Sequence, residues 1–116
     1  MAFSRRIGSV YINGEEKYLW AYFNRYKGVI VLSFSTQSID SIKDMCQKLE
    51  KFCKKHDIEY YAIRKSAQVG WRTISYYKHH LIVRKDRIED ILNVLPKFKN
   101  IVINDNALGK IMDLIL

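Results

Sequence analysis

Proline, glycine and cysteine are scarce in this chain, and long apolar runs are absent. Of its 116 residues, one is proline, five are glycine and two are cysteine. With 48% hydrophobic and 28% charged residues, this composition excludes a disordered chain and favours a single globular domain with its own core. No run approaches the roughly 18 apolar residues of a membrane span, so no membrane partner is expected. Residues 1–6 lack the apolar stretch of a secretory signal.

Acidic residues are also in short supply. The chain has 12 Asp and Glu against 20 Lys and Arg, which gives a formal net charge of +8. Such an excess favours a polyanionic partner, most directly nucleic acid, because each neutralised phosphate releases a counterion. A solvated basic surface that keeps the protein soluble is the alternative reading.

The two cysteines have the spacing of core residues. Cys46 and Cys53 are seven residues apart on one predicted helix, which separates them by about 10.5 Å along its axis. A disulfide needs Cα atoms within about 7 Å, and two thiols without a second nearby pair do not make a metal site. We expect both to pack in the core, no metal or cofactor, and a reducing, intracellular (cytoplasmic) compartment.

Hydrophobic periodicity predicts the order β-β-β-α-β-β-α-β-α. The predicted strands are Ile7–Ile12, Lys17–Tyr26, Val29–Phe34, Ile58–Lys65, Arg72–Arg84 and a short extended stretch at Ile101–Ile103. The segment 17–26 also fits a helical template, but Asn13-Gly14 before it is a strong hairpin signal and favours a strand. Val29–Phe34 is almost continuously apolar, as in a central strand buried on both faces.

Three helices are expected between and after these strands. The first covers residues 38–56, with Ser38 or Thr36 as its N-cap. The second begins at Asp86 and is stopped by Pro96, and the third begins after Asp105 or Asn106. The predicted class is α+β, an antiparallel or mixed sheet of about five strands with two or three helices on one face. Its other face needs a cover, which can be solvent, a partner subunit or nucleic acid.

The segment 64–84 contains most of the candidate binding residues. Strand alternation puts Arg72, Ile74, Tyr76, Lys78, His80, Ile82 and Arg84 on one face, and Thr73, Ser75, Tyr77, His79, Leu81 and Val83 on the other. Ser66–Gly70 is predicted as a loop, which leaves Trp71 near a hairpin tip. The expected phosphate contacts are Arg64, Lys65, Arg72, Lys78 and Arg84, with Trp71, Tyr76 and Tyr77 as packing or stacking groups, His80 on the same face, and Arg5 and Arg6 as a short arm.

Adjacent histidines invite a metal or nuclease hypothesis. His79 and His80 point to opposite faces of a strand, so they cannot ligate one metal ion together. An apolar strand followed by a helix and then a strand with histidines resembles rolling-circle replication initiators. That family has two histidines separated by one residue and a later nucleophilic tyrosine, whereas no tyrosine follows Tyr77 in this chain.

A second resemblance covers residues 8–96. The stretches Gly8–Ile12, Val31–Ser35, Ile58–Tyr60 and His80–Asp86, together with the apolar positions Ile39, Ile42, Leu49, Ile88, Ile91, Leu92 and Leu95, resemble the LAGLIDADG homing-endonuclease fold unit. That unit runs helix, two strands, helix, two strands, helix. The family places a metal-binding acid directly before the glycine, where Ile7 stands in this sequence. The resemblance therefore implies a DNA-reading sheet and a homodimer without the cutting site.

These observations predict a non-catalytic nucleic-acid-binding protein, with double-stranded DNA as the favoured ligand. Two alternatives stay open. One is a metal-dependent DNA endonuclease or an initiator-like nickase with an unfamiliar site. The other is a self-assembling structural or partner-binding protein, whose aromatic sheet face packs against its own copy. The composition, rich in Ile, Lys and Tyr, is also typical of A+T-rich sources such as viruses and mobile elements.

Overall fold

The computed structural model describes residues 3–116. Its fold is α+β, with an antiparallel sheet of six strands and three α-helices. The strands are β1 Arg5–Ile12, β2 Glu15–Asn24, β3 Val29–Thr36, β4 Glu59–Val69, β5 Arg72–Arg84 and β6 Ile101–Ile103. The helices are α1 Lys43–Lys55, α2 Ile88–Val94 and α3 Ala107–Ile115, with short 3-10 turns at Asp40–Ile42, Lys85–Arg87 and Leu95–Lys97. The strand order is β4-β5-β3-β2-β1-β6, so the predicted class is confirmed.

The first hairpin decides the structure of the ambiguous segment. Asn13 and Gly14 both have positive φ, 51° and 80°, as a two-residue turn between twisted strands requires. Ile12 then pairs with Glu15, and β2 continues to Asn24. The strand prediction for this segment is therefore confirmed over the helical alternative.

The hydrophobic core lies on one face of the sheet. Alternate residues of the strands point at the helices, and they include the fully buried Ile30, Leu32 and Leu81. From the helices, Leu49 and Ile91 complete the same cluster. The other face has no helix over it among residues 3–116, and we call it the open face.

Two local predictions are wrong. Ser66–Gly70 is not a loop, because β4 runs to Val69 and only Gly70 and Trp71 form the turn before β5. The backbone of Ser66–Val69 instead pairs with β5. The expected caps also fail within residues 3–116, since no helix start has a side-chain cap hydrogen bond. Ser38, Asp86, Asp105 and Asn106 make none, and the hydroxyl of Thr36 bonds a histidine ring.

The predicted core packing of the two cysteines is confirmed. Cys53 is buried in the core, Cys46 is half-buried against it, and both thiols are free. Burial raises the pKa of the Cys53 thiol to about 12. Across residues 3–116, none of the helices has the length and apolar character needed to cross a bilayer.

Gly8 lets the short edge strand β6 approach β1. The register between β1 and β2 shifts between Arg6 and Gly8, and Gly8 pairs with Ile103 on the other side. A Cβ at Gly8 would overlap the carbonyl oxygen of Val102. Because that oxygen belongs to the backbone, β6 would have to move to make room.

We predict that Gly8→Ala lowers the free energy of unfolding by about 1–3 kcal/mol, the usual cost of overpacking. Gly109→Ala is the matched control. A Cβ at Gly109 meets nothing within 4 Å, and alanine is the better helix former by about 0.5–1 kcal/mol. Urea unfolding of both variants measures the difference. Equal stability of Gly8→Ala and the wild-type protein would contradict the close approach of β6.

Candidate nucleic-acid interface

Strand β5 sorts its side chains between the core and the open face. His79 and Leu81 are opposite Phe34 and Leu32 of β3 in the core, and they are fully buried. The alternate residues Lys78, His80 and Ile82 therefore lie on the open face. Both sets predicted for the segment 72–84 are confirmed, as is the placement of His79 and His80 on opposite faces.

The outer parts of β4 and β5 form a projecting two-stranded arm. β3 ends at Thr36, which pairs with Tyr77, so the five pairs from Lys65–Tyr76 to Val69–Arg72 have no third strand beside them. We call residues 65–76 the β-arm. At about 3.4 Å per residue, it extends roughly 17 Å beyond the sheet.

The two sides of the β-arm differ in chemistry. One side continues the open face and is apolar and basic, with Lys65, Ala67, Val69, Arg72, Ile74 and Tyr76. The opposite side is polar and contains Ser66, Gln68, Thr73 and Ser75. There the Gln68 amide donates a hydrogen bond of 3.0 Å to the Thr73 hydroxyl. A ribbon of this kind has one side suited to solvent and one suited to a partner.

Charge along this hairpin has one sign. Residues 60–85 contain six Lys and Arg and no Asp or Glu. Within residues 3–116, Lys65, Arg72 and Lys78 have no carboxylate within 4.0 Å. Their charges are therefore not neutralised by the protein itself.

Arg64 is not on the predicted face. It pairs with Tyr77, so it points to the side opposite Lys65, and its guanidinium donates a 3.3 Å hydrogen bond to the Ser75 hydroxyl. The prediction grouped Arg64 and Lys65 together, but adjacent strand residues alternate. Tyr77 lies on the same side as Arg64.

The other predicted cations lie away from the β-arm. Arg5 and Arg6 do not form the predicted short arm, because both belong to β1. Arg5 is on the helix side, 3.9 Å from the Asp113 carboxylate. Arg6 is on the open face, with its guanidinium carbon 3.6 Å from the centroid of the Tyr18 ring. Arg84 is at the far end of β5 and lies 3.7 Å from Asp86.

Basic residues are not confined to the open face. Helix α1 carries five lysines and two acidic residues on the opposite layer of the molecule. Cations therefore lie on both layers of the molecule. The β-arm differs from α1 because it has no acidic neighbours, and not because it has more cations.

The open face also carries a group of aromatic side chains that the sequence analysis did not identify. Its members are Tyr11, Tyr18, Trp20, Tyr22 and Tyr61. Trp20 and Tyr61 are each 40% exposed, and Tyr18 packs edge-on against Trp20 with ring centroids 6.4 Å apart. The signal that could have found three of them is the alternation of Tyr18, Trp20 and Tyr22 along β2.

His80 lies in the same cross-strand row as Trp20 and Tyr61. Its ring stacks on Tyr61 at 4.9 Å, and only 6% of the residue is exposed. Neither ring nitrogen has a hydrogen-bond partner among residues 3–116. Burial, with Lys78 and Lys65 nearby, lowers the pKa of His80, so the ring is neutral at pH 7. His80 is on the face predicted for it, and as a neutral, covered ring it packs there beneath Tyr61.

His79 forms a polar network inside the core. The Thr36 hydroxyl lies 2.8 Å from its Nε2, and the Tyr60 hydroxyl lies 2.8 Å from its Nδ1. The ring stacks on Phe34 with centroids 4.4 Å apart. Burial, together with the neighbouring His80, lowers the pKa of His79 to about 4. Both ring nitrogens are satisfied, which accounts for a polar ring at the centre of the fold.

We predict that this network makes stability fall in mild acid. The unfolded chain takes up a proton at His79 below pH 6.5, whereas the folded chain does so only near pH 4. The stabilisation is therefore complete above pH 6.5, and about 3 kcal/mol is lost as the pH falls to 4. Urea unfolding at several pH values measures this loss, and His79→Gln should flatten the curve in that window. If the stability of His79→Gln fell with pH as steeply as that of the wild-type protein, His79 would not be the source of the loss.

Comparison with known proteins gives no match: no family model, curated protein or solved structure corresponds to this chain. Among residues 3–116, no group of three or more His, Cys, Asp and Glu side chains is placed to hold a metal ion. Function must therefore be inferred from the side chains that the fold brings together, which are those of the β-arm and the open face.

Proposed function

We propose that this protein binds double-stranded DNA without cleaving it, through the β-arm and the adjoining open face. The observation that supports this most strongly is the acid-free hairpin. Six cations and no carboxylate lie between Glu59 and Asp86, and half of that segment projects beyond the sheet. A phosphate backbone is the ligand whose regular negative charge matches such a surface.

The distribution of cations along the β-arm favours contact with a backbone over contact with a single anion. Lys78 lies at the base, Lys65 next to it, and Arg72 at the far end. Because the arm is about 17 Å long, these side chains can reach several phosphates of a strand but cannot converge on one. Such contacts fix position and supply affinity, while they carry no sequence information.

The shape of the β-arm favours a duplex. A two-stranded ribbon fits the major groove of B-DNA, which is about 12 Å wide. The open face is continuous with the apolar and basic side of the arm, so a duplex seated on the arm also meets Trp20 and Tyr61. These half-exposed rings are suited to packing against sugars.

Part of the element order agrees with that of the LAGLIDADG fold unit. From β2 onward, the chain runs two strands, helix, two strands, helix, as that unit does after its first helix. In place of the first helix, which carries the family's metal-binding acid, the described chain has strand β1, and Ile7, directly before Gly8, is fully buried there. We therefore propose recognition of DNA without the family's cleavage chemistry.

A self-assembling protein is the second candidate, and the position of β4 favours it. β4 has eleven residues and lies at the edge of the sheet, with β5 as its neighbour. Its outer edge presents unpaired backbone groups, which are a template for pairing with another chain. Sizing the protein with and without DNA separates assembly through this edge from assembly on a nucleic acid.

We predict that removing the cations of the β-arm and its base weakens the salt dependence of duplex binding. Each phosphate contact contributes about 0.9 to the slope of log affinity against log salt concentration. The triple variant Lys65→Ala, Arg72→Ala, Lys78→Ala should lower that slope by about 2–3 and weaken binding at low salt. Fluorescence anisotropy with a labelled 20-base-pair duplex, at several salt concentrations, measures it.

The control removes the same charge from another surface. Lys51→Ala, Lys54→Ala, Lys55→Ala changes three exposed lysines of α1. This variant should keep the wild-type slope. Equal effects of the two triple variants would show that net charge, and not the β-arm, governs binding. If the affinity for the duplex did not decrease as the salt concentration rises, the proposed contacts with phosphates would be contradicted.

A further inference from the structure

Trp71 is placed at the most distant point of the β-arm. It forms the turn with Gly70, which has a positive φ of 65°, and its side chain is 94% exposed. Val69, the residue before the turn, is also exposed. A large apolar ring held in solvent about 17 Å from the core cannot contribute to the packing of this chain.

The surroundings of Trp71 indicate what it meets. Arg72 follows it directly, and Lys65 lies further down the same side of the arm. An anionic lipid surface would favour cations grouped at the level of the inserted ring. The cations of this arm are instead spread from tip to base, as a nucleic-acid backbone running along the ribbon requires.

We propose that Trp71 is a wedge that enters between two adjacent base pairs of a duplex and bends it. This inference rests on the proposed function, because the cations of the β-arm must first hold the DNA. Apolar side chains that enter a base step partly unstack it and kink the duplex. The flat indole ring can stack on the exposed base face, which offsets part of the cost of unstacking.

The experiment follows the ring and the DNA separately. In a Trp20→Phe protein, Trp71 is the remaining tryptophan, and its quenching by acrylamide is measured with and without a 20-base-pair duplex. Bending is measured as energy transfer between dyes on the two ends of the duplex. Affinity is measured in parallel by anisotropy.

We expect the duplex to reduce the acrylamide quenching of Trp71 severalfold and the dyes to approach each other. Trp71→Ala should abolish the bending while weakening binding by no more than about tenfold, because the phosphate contacts remain. Trp71→Phe should retain part of the bending. Tyr26→Ala is the matched control, since Tyr26 is also fully exposed and lies between Arg25 and Lys27 at the opposite end of β3. It should leave the bending unchanged.

Several results would overturn the wedge, and they are distinguishable. If the duplex binds with a normal salt dependence but Trp71 stays fully quenchable and the DNA stays straight, the wedge is wrong and the proposed function stands. If the wild-type protein binds no duplex, both are wrong. If Trp71 is protected only by phosphatidylcholine–phosphatidylglycerol vesicles, or only by a single-stranded oligonucleotide, the tip has a different ligand and the wedge is wrong.

Discussion

The pleat of β5 is the constraint on which the rest of this structure depends. β5 pairs with β3 along one edge and with β4 along the other, so its side chains face either the helices or the open face. His79, Leu81 and Val83 lie in the core. That fixes the register of the strand, because a shift by one residue would move Lys78 and His80 into the core. The burial of one half of β5 thus decides where the cations and aromatic residues of the β-arm point.

Strand β5 also connects the stable centre of the sheet to the exposed β-arm. Its second half is held by β3, by β4 and by the hydrogen bonds of His79, whereas its first half is held by β4 alone. A two-stranded ribbon is only marginally stable in isolation, so the β-arm derives its order from the sheet at its base. Its exposed apolar side, with Ile74 and Val69, then gains from any partner that covers it.

Much of this fold could be predicted because its signals are local. Asn13-Gly14 marks the first hairpin, and the alternation within residues 72–84 gives both the strand and its two faces. The extension of β4 to Val69 could not be predicted in this way, because Ser66 and Gln68 have no strand signal of their own and are held by pairing with β5. Arg64 was misplaced for a different reason: adjacent strand residues point to opposite faces, so Arg64 and Lys65 cannot share one.

The candidate site was predicted less completely than the fold. Lys65, Arg72 and Lys78 lie on one face as expected. The aromatic residues of β2 were missed because the alternation of Tyr18, Trp20 and Tyr22 was not used to assign them to a face. The most direct test of the account is acetylation footprinting of lysines with and without duplex DNA. We expect the duplex to protect Lys65 and Lys78 and to leave Lys51 and Lys54 of α1 reactive. Protection of the α1 lysines with Lys65 and Lys78 unchanged would contradict it.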